Sequence, residues 1–407
     1  MEQWDVVIIG GGAAGLVAAG AAGRAGAKVL VLEKTHRVGR KVAITGKGRC
    51  NVTTARPLDQ VFDAYPSGGD FLRNAFARFF SGDIIDILER RNVQCATERG
   101  RRVFPQSGQA TDVVNALYRY ARVDGAAVRT KARVLTLEAH PAGFLVSLDQ
   151  DVILARRVVI ATGGKSYPKT GSTGDGYRLA QRFGHTLTAP RPALVPLTIQ
   201  PLPAPVDVQL HNVGVALFDG GKKIASGLGE AHLRQNWLGG AIPLDFSRDI
   251  MDRASPSISL DFKPALDQAK LDARLRRDLE ADGKRPLAHV LFGLLPRVAI
   301  PLFVAALQLD PEQRCAEVGK KTRRALGAKL KDFRLTITGT RGFDEALVTA
   351  GGVKLKEIDP RTMQSRLAPG LFLCGEVLDV DGVTGGFNLQ AAFSTGFVAG
   401  RAAAGKS

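Results

Sequence analysis

The hydrophobic pattern of the first sixty positions changes in a regular order. Residues 6–9 are a continuous apolar run, which predicts a strand buried on both faces. A G-x-G-x-x-G spacing follows from Gly10 to Gly15, and the alanine-rich segment after it predicts a helix. Residues 29–32 are apolar again, which predicts a second strand over 28–32 that ends in Glu33. The order strand, glycine turn, helix and strand is typical of a Rossmann βαβ unit.

The rest of the chain shows two further patterns. The prolines of residues 189–205 mark a domain boundary, and a helical pattern begins near residue 266. Five more apolar runs predict strands, at 157–161, 206–210, 214–218, 241–246 and 334–338. Near the end of the chain, a short buried strand is expected within 370–376 and a helix over 389–404.

Composition limits the class of protein. A chain of 407 residues with 45% hydrophobic and 23% charged residues is expected to form two or three globular domains. The four cysteines are scattered, which indicates no disulfide framework and favours a cytoplasmic protein. The six histidines show no metal-ligand spacing, so no metal is expected. Neither a signal peptide nor a membrane span is predicted.

The net charge of +17 is the one unusual value. Such a charge attracts polyanions, among which RNA, DNA and an acidic membrane surface all qualify. The alternative is a chain that is merely rich in arginine, because net charge is not tied to one partner.

The glycine-rich turn predicts dinucleotide binding. Gly10 allows the tight turn, Gly12 lets the backbone approach a pyrophosphate, and Gly15 lets the helix pack on the strand. The start of the helix, with Ala13 and Ala14, supplies N–H donors to the phosphates. Glu33 is placed to accept hydrogen bonds from a ribose diol. A C-terminal strand, acid and glycine-rich helix that return to this unit favour FAD over NAD.

Five sequence blocks carry a resemblance to a known family. They are GRKVAITGKGRCNVTT (39–54), GRRVFPQSGQATDVV (100–114), ATGGKSYPKTGSTGDGY (161–177), TGTRGFDEALVTAGGV (338–353) and CGEVLDVDGVTGGFNLQAAFSTGFVAG (374–400). The chain thereby resembles the BaiN/YhiN-type (BaiN/RdsA, aminoacetone-oxidase-like) bacterial FAD-dependent oxidoreductases. It departs from them at Lys47, where the family usually has glycine, and at Thr54, where it has asparagine. Block 229–242 also departs, which indicates a divergent branch.

The resemblance implies a discontinuous, glutathione-reductase-like FAD-binding α/β domain with an inserted β-rich domain and a helical domain nested in the insert. The expected boundaries are 1–188 and 340–407 for the FAD domain, 189–250 and 327–339 for the β-rich domain, and 251–326 for the helical domain. Residues 384–389 are expected to face the flavin N1–C2=O edge with backbone N–H groups. The residues predicted to bind FAD without a covalent bond are Gly10, Gly12, Ala13, Ala14, Gly15, Glu33, Lys34, Arg40, Lys41, Thr45, Gly46, Gly48, Arg49, Cys50, Asn51, Ala161, Thr162, Gly163, Gly375, Glu376, Gly385, Gly386, Phe387, Asn388 and Leu389.

Two residues are candidates for catalysis. Lys47 and Arg49 flank Cys50, and two neighbouring cations could lower the pKa of its thiol; the alternative is a small buried cysteine. Tyr167 could donate a hydrogen bond to a substrate, or it could simply pack in its loop. The residues predicted to contact substrate or RNA are Arg101, Arg102, Lys320, Lys321, Arg323 and Arg324, for which a solvated surface is the alternative.

The resemblance implies reduction of a uridine in large-subunit ribosomal RNA, with hydride delivered to C6 and a proton to C5. A small-molecule flavin oxidoreductase, of amine-oxidase or ene-reductase type, is the alternative. A third possibility is an RNA-binding factor that holds FAD without turnover. NAD(P)H is expected as a transient electron donor, because the sequence shows one dinucleotide fingerprint. Ribosomal RNA, another polyanion or a small molecule is therefore the expected partner.

Overall fold

A computed structural model describes residues 1–123 and 125–406. Among these residues the strands are β1 (Glu2–Ile9), β2 (Val29–Leu32), β3 (Thr53–Thr54), β4 (Cys95–Glu98), β5 (Arg102–Pro105), β6 (Ala127–Arg129), β7 (Thr136–His140), β8 (Gly143–Ser147), β9 (Val152–Ile160), β10 (Leu187–Ala193), β11 (Leu197–Ile199), β12 (Asp207–Asp219), β13 (Lys222–Arg234), β14 (Trp237–Gly239), β15 (Pro256–Asp261), β16 (Phe333–Thr340), β17 (Val348–Val353) and β18 (Leu371–Leu373).

The α-helices of the same residues are α1 (Ala13–Arg24), α2 (Arg40–Ile44), α3 (Gly69–Arg78), α4 (Ser81–Glu89), α5 (Ala110–Arg122), α6 (Asp175–Gln181), α7 (Ala241–Phe246), α8 (Gln268–Ala281), α9 (Leu287–Leu294), α10 (Ile300–Leu307), α11 (Lys320–Lys331) and α12 (Phe387–Ala403). In the described part of the chain, no helix is both long and apolar enough to cross a membrane.

The chain divides into two compact units. The first contains residues 1–192 and 343–407, and the second contains residues 193–342. Each unit has its own hydrophobic core. The second core combines the barrel strands with the helices between them, so α8 to α11 share one core with the barrel.

A seven-stranded sheet organises the first unit, in the order β6-β2-β1-β9-β8-β7 with β18 also paired to β9. The pairs of β1 with β2 and β9, of β2 with β6, and of β18 with β9 are all parallel. Strand β2 and the last residues of β1 (6–9) and of β9 (158–160) are apolar and buried, as is typical of a parallel sheet covered by helices on both faces. The carboxyl ends of β1, β2, β9 and β18 therefore share one edge, where ligands of open α/β sheets bind.

Two glycine-containing helices pack against each other on this sheet. A Cβ atom at Gly396 would lie 2.4 Å from the Ala14 carbonyl oxygen, and one at Gly400 would lie 2.2 Å from that of Ala18. Glycine on α12 is thus required for the close contact with α1. Since both contacts advance by four residues in the same direction, the two helices run parallel. Their N-termini consequently point toward the same edge of the sheet.

The second unit contains a closed barrel with the strand order β11-β14-β13-β12-β15-β16. The separate apolar runs expected at 206–210 and 214–218 belong to one strand, β12, with an irregularity in its pairing between Leu210 and Val213. The prediction of a strand over 241–246 is wrong, because these residues form α7. Pro243 has no N–H to donate to a sheet but is tolerated in the first turn of a helix.

Candidate functional site

The turn between β1 and α1 combines tight packing with one open position. A Cβ at Gly10 would lie 2.5 Å from the Ala161 carbonyl oxygen, and one at Gly15 would lie 1.9 Å from the Gly10 carbonyl oxygen. Above Gly12, by contrast, no atom of the described residues lies within 4 Å of the Cβ position. Gly12 is also the N-cap of α1, and no side chain of the described residues caps it. The first N–H groups of α1 can therefore bind an anion in this space.

Glu33 lies directly after β2 and faces the glycine turn. Its carboxylate accepts hydrogen bonds from the N–H groups of Gly11 at 2.9 Å and Thr35 at 2.7 Å. These bonds fix the acid beside the predicted pyrophosphate position, as ribose recognition requires. Lys34, the next residue, forms an ion pair with Asp175 at 2.8 Å.

Lys41 connects three segments that are far apart in the sequence. Its ammonium lies 2.7 Å from Glu376 Oε2 and 2.6 Å from Ser166 Oγ. The other oxygen of Glu376 accepts from Ser166 Oγ and from the Thr349 N–H, both at 2.8 Å. This polar cluster joins α2 to the turns that follow β9 and β18. Neighbouring Arg40 is half-buried at the start of α2.

The segment TGKGRCN (45–51) is a left-handed turn. Gly46, Lys47, Gly48 and Cys50 have φ angles of 56°, 57°, 85° and 60°. Glycine adopts such angles freely, whereas Lys47 and Cys50 adopt them at a cost in free energy. The Cys50 N–H donates to the Thr45 carbonyl oxygen at 2.9 Å and closes the turn. Non-glycine residues held in this region are frequent at functional sites.

Cys50 is fully buried in this turn. Burial raises the pKa of its thiol to about 12, although a hydrogen bond with Thr45 opposes the shift. Of the two alternatives, the small buried cysteine is confirmed and the lowering of this pKa by Lys47 and Arg49 is wrong, because desolvation has the larger effect. The guanidinium of Arg49 instead pairs with Glu98 and lies over the Phe104 ring, 4.4 Å from its centroid.

Asn51 joins the end of this turn to the start of α12. In the amide orientation that satisfies both of its polar atoms, its oxygen accepts from the Gly386 N–H at 3.0 Å. Its nitrogen then donates to the Thr53 carbonyl oxygen at 3.1 Å. A Cβ at Gly386 would lie 2.5 Å from that same oxygen, which explains glycine at this position. The predicted cofactor residues Asn51 and Gly386 are thus in direct contact.

The start of α12 presents backbone groups and turns its side chains inward. Gly386 is its N-cap, and within the described residues it receives no side-chain cap. The Asn388 side chain bonds both polar backbone atoms of Gly382, at 2.8 and 2.7 Å. Phe387 is buried and its carbonyl oxygen accepts from Tyr65 Oη at 2.7 Å. A ligand at this end of α12 would therefore meet N–H groups and the positive end of the helix dipole.

The two helix starts are offset along the sheet edge. Ala14, near the start of α1, packs on Gly396, which lies well inside α12. The N-terminus of α12 therefore extends about eight residues beyond the N-terminus of α1, or roughly 12 Å at 1.5 Å per residue. Gly375, in the turn after β18, approaches both helices, since a Cβ there would lie 2.8 Å from Ala14 Cβ and 3.9 Å from Ala392 Cβ. The site thus offers two uncapped helix N-termini at separate positions, which suits an elongated dinucleotide with an anionic centre and a polar ring edge.

The turn after β9 completes the edge of the sheet. The Ala161 N–H donates to the Ile9 carbonyl oxygen at 2.9 Å, which places Thr162 and Gly163 beside the first glycine turn. Gly163 has a φ of 75°. Tyr167 follows in the same loop with a φ of 50°, and burial together with Glu345 raises the pKa of its phenol. Tyr167 therefore retains its proton at neutral pH.

The basic clusters differ in how many partners they have. On α11, Arg323 binds Asp272 through two hydrogen bonds of 2.9 and 3.2 Å, which raises the pKa of the guanidinium. Lys320, Lys321 and Arg324 of the same helix are exposed. In the first unit, Arg101 is exposed with a φ of 59°, and Arg102 lies 5.8 Å from the Phe104 ring centroid.

Several contributing residues were not predicted from the sequence. Thr349 donates its backbone N–H to Glu376, Tyr65 binds Phe387, and Thr395 Oγ1 accepts from the Gly375 N–H at 3.0 Å. No local motif marks Tyr65, and its role follows only from the fold. Thr395 lies one helical turn after Ala391 on the buried face of α12. This helical spacing is the signal in the sequence from which the burial of Thr395 could have been predicted.

The fold and site define a class: a flavin-dependent oxidoreductase with a Rossmann-type FAD-binding domain and an inserted β-barrel. The chain matches the model of the HI0933-like protein Rossmann domain over residues 4–402. It belongs to this family of FAD-dependent proteins.

Two relatives match nearly full length. A 3-dehydro-bile acid delta(4,6)-reductase of Clostridium scindens is 34% identical, over 98% of each chain. A ribosomal RNA dihydrouridine synthase of Escherichia coli is 31% identical, over 97% of this chain and 96% of that protein.

Solved structures show the same fold. The 3-ketosteroid-delta4-(5alpha)-dehydrogenase of Rhodococcus jostii gives a TM-score of 0.50 at 17% identity, covering 99% of this chain and 97% of that chain. The quinol fumarate reductase subunit FrdA of Escherichia coli gives 0.52 at 18% identity, covering 100% and 71%. At these identities the likeness concerns the fold alone.

The residues present fit FAD. The open space above Gly12 and the uncapped start of α1 suit a pyrophosphate, and Glu33 suits a ribose. The N–H groups in the first turn of α12, after Gly386, suit the polar edge of a flavin ring. When bound there, FAD supplies the redox chemistry, while the chain binds, orients and tunes it.

Proposed function

We propose that this protein is a FAD-dependent reductase that acts on an unsaturated pyrimidine, a uridine of large-subunit ribosomal RNA. The observation that carries the proposal is the net charge of +17, which suits a polyanionic substrate. The Escherichia coli relative, a ribosomal RNA dihydrouridine synthase, supports the same substrate class. A target base inside a folded RNA has to be reached in a loop or flipped out of its stack.

Residues of the chain have distinct tasks in this reaction. The N–H groups in the first turn of α12, after Gly386, would stabilise negative charge on the edge of a bound flavin ring. Tyr167 holds a proton at neutral pH and can donate it to the carbon next to the one that receives hydride. The Lys41–Glu376 ion pair fixes the turns that surround the cofactor.

A second candidate function is the reduction of a conjugated double bond in a small molecule. The 34% identity to a bile-acid reductase favours it. Such an enzyme would need no RNA, and its activity would not depend on the positive charge of the surface.

Mapping of dihydrouridine in ribosomal RNA tests the main proposal. An Escherichia coli strain without its own ribosomal RNA dihydrouridine synthase would be supplied with this gene or with a Gly12→Glu variant that blocks the pyrophosphate position. We expect dihydrouridine to return with the unmodified gene only. If it stays absent while the purified flavoprotein reduces an unsaturated steroid acid, the small-molecule function is correct. If the protein binds RNA but reduces neither compound, it is an RNA-binding factor.

The electron donor has a separate test. We propose NAD(P)H, and anaerobic mixing of the flavoprotein with NADPH and with NADH should bleach the flavin absorbance with at least one of them. An unbleached flavin with both donors would overturn this assignment.

A further inference from the structure

Two cationic segments that are distant in the sequence lie side by side in the first unit. Strand β3 pairs with β5, which places Thr54 opposite Arg102, and the Ala55 N–H donates to the Arg101 carbonyl oxygen at 2.7 Å. The segments 45–56 and 95–105 together contain six Lys or Arg residues and a single acid, Glu98. We call these six residues the cationic rim: Lys47, Arg49, Arg56, Arg99, Arg101 and Arg102.

The rim lies next to the start of α12. The Arg56 guanidinium carbon is 5.4 Å from the centroid of the Phe387 ring, on the first residue of that helix. Asn51, in the middle of the first rim segment, binds the Gly386 N–H. The rim therefore borders the start of α12, which is expected to face the flavin ring. A molecule that approaches the start of α12 from the side of the rim would contact the rim residues.

Part of the rim is held in a fixed orientation. Arg49 and Arg102 both lie over the Phe104 ring, at 4.4 and 5.8 Å from its centroid. Phe104 is itself buried, so it gives the two guanidinium groups a rigid base. Arg49 is also paired with Glu98, so Arg102 is the stacked guanidinium of the rim that can bind a phosphate with little loss of side-chain entropy.

The other rim cations are open to solvent. Lys47, Arg99 and Arg101 are exposed, and within the described residues their side chains form no ion pair. Lys47 and Arg101 also have left-handed backbone angles of 57° and 59°. A left-handed conformation costs free energy at a residue other than glycine, and such residues are frequent at functional sites.

We infer that the cationic rim binds the sugar–phosphate backbone of an RNA substrate and directs one nucleotide toward the start of α12. This inference rests on the proposed function and names the surface that performs the recognition. Phosphate contacts fix the position of an RNA without reading its sequence. The inference names the rim and not α11, because the rim borders the start of α12.

RNA binding by matched charge variants tests the inference. The double variant Arg99→Gln/Arg101→Gln removes two rim charges, and Arg361→Gln/Arg366→Gln removes two exposed charges elsewhere in the same unit. A third double variant, Lys320→Gln/Lys321→Gln, tests α11. The probes are a fluorescein-labelled single-stranded RNA and deproteinised Escherichia coli large-subunit ribosomal RNA, titrated with flavin-loaded protein between 50 and 300 mM KCl.

We expect only the rim variant to weaken binding. For single strands, each phosphate contact contributes ~0.7 to the slope of the logarithm of the RNA-binding constant against the logarithm of the salt concentration. Loss of two contacts should therefore reduce this slope by about 1.4, and it should reduce the affinity at 0.1 M salt by roughly 25-fold. Its flavin content and thermal midpoint should match those of the unmodified protein, since both side chains are exposed. Loss of affinity in the Lys320/Lys321 variant with an unchanged rim variant would overturn the inference.

The outcome can be separated from that of the proposed function. If the rim variant binds RNA normally while the unmodified protein forms dihydrouridine, the rim assignment fails and the function stands. If the rim variant loses RNA affinity but no dihydrouridine is formed by any variant, the rim stands as an RNA-binding surface and the proposed reaction fails. Equal losses in all three double variants would show general electrostatic attraction and would overturn the assignment to the rim.

Discussion

Lys41 Nζ lies 2.7 Å from Glu376 Oε2, although 335 positions separate the two residues in the chain. Their side chains are only 22% and 19% exposed, and Ser166 and Thr349 complete the hydrogen bonding of the carboxylate. An ion pair so sheltered from solvent is screened less than a surface pair. It holds the two ends of the FAD-binding unit together at the edge where the cofactor site forms.

A double-mutant cycle tests this ion pair. Lys41→Met and Glu376→Gln should each lower the thermal midpoint and weaken FAD retention. The first variant leaves the half-buried Glu376 carboxylate without its cation, and the second leaves the Lys41 ammonium without its anion. The double variant should lose less stability than the two single variants lose together, with a coupling free energy of about 1 kcal/mol. The cycle Arg73→Met/Asp70→Asn, on a pair with exposures of 59% and 92%, is the control and should show additive changes. Additivity at Lys41 and Glu376 would contradict the prediction.

Close packing of α1 and α12 predicts the effect of one added methyl group. Gly400→Ala would place a Cβ 2.2 Å from the Ala18 carbonyl oxygen and should destabilise the protein by about 1–3 kcal/mol through overpacking. Flavin should be retained poorly, because both helix starts would shift. Gly293→Ala is the matched control: no atom of the described residues lies within 4 Å of its Cβ position, so alanine should stabilise α9 by about 0.5 kcal/mol. Denaturant midpoints measure both changes, and equal effects would refute the packing argument.

Burial of Cys50 predicts a pH dependence of stability. The folded-state pKa of about 12 exceeds the ordinary value of 9.0, so the unfolded chain loses this proton first. The stabilisation is complete below pH 9 and is lost as pH rises from 9 toward 12, at up to about 1.4 kcal/mol per pH unit. Cys50→Ala should flatten this part of the profile, measured as the denaturant midpoint against pH. An unchanged slope would show that Cys50 is not the group responsible.

The same burial predicts how Cys50 reacts. Iodoacetamide reacts with the thiolate, and burial raises the pKa of Cys95 too, to about 11. Because Cys95 is only half-buried and its pKa is lower than that of Cys50, native Cys50 should be alkylated more slowly than Cys95. Peptide mass spectrometry after timed alkylation measures both rates. Rapid labelling of Cys50 in the folded protein would revive the idea of a reactive thiolate.

Tyr167 is predicted to be a proton donor in the reduction of substrate. Burial and Glu345 keep its phenol protonated, so Tyr167→Phe should slow the reoxidation of reduced flavin by substrate by about 100-fold or more. Reduction of the flavin by dithionite should be unaffected, because this step needs no protein acid. Tyr118→Phe, on the partly exposed side of α5, is the control and should leave both steps unchanged. Equal slowing of both steps by Tyr167→Phe would indicate a structural role.

Some features of the site follow from local sequence alone. The turn from Gly10 to Gly15 and the acid Glu33 were predictable because a buried strand, a glycine turn and a helix each leave a pattern within a few residues. The start of α12 was predictable for the same reason. The strand predicted over 241–246 failed because six residues carry too little periodicity to distinguish a strand from a short helix, and Pro243 decides between them.

The sequence by itself determined the family and the class of cofactor, and it predicts which segments approach the flavin, because these depend on local backbone geometry and on short motifs. Only the tertiary structure decided the pairing of Lys41 with Glu376, the raised pKa of Cys50 and the meeting of segments 45–56 and 95–105. The sequence placed TGKGRCN around the flavin and assigned RNA to other clusters. Pairing of β3 with β5 brings one of those clusters beside TGKGRCN, and such long-range contacts and desolvation leave no local mark in a sequence.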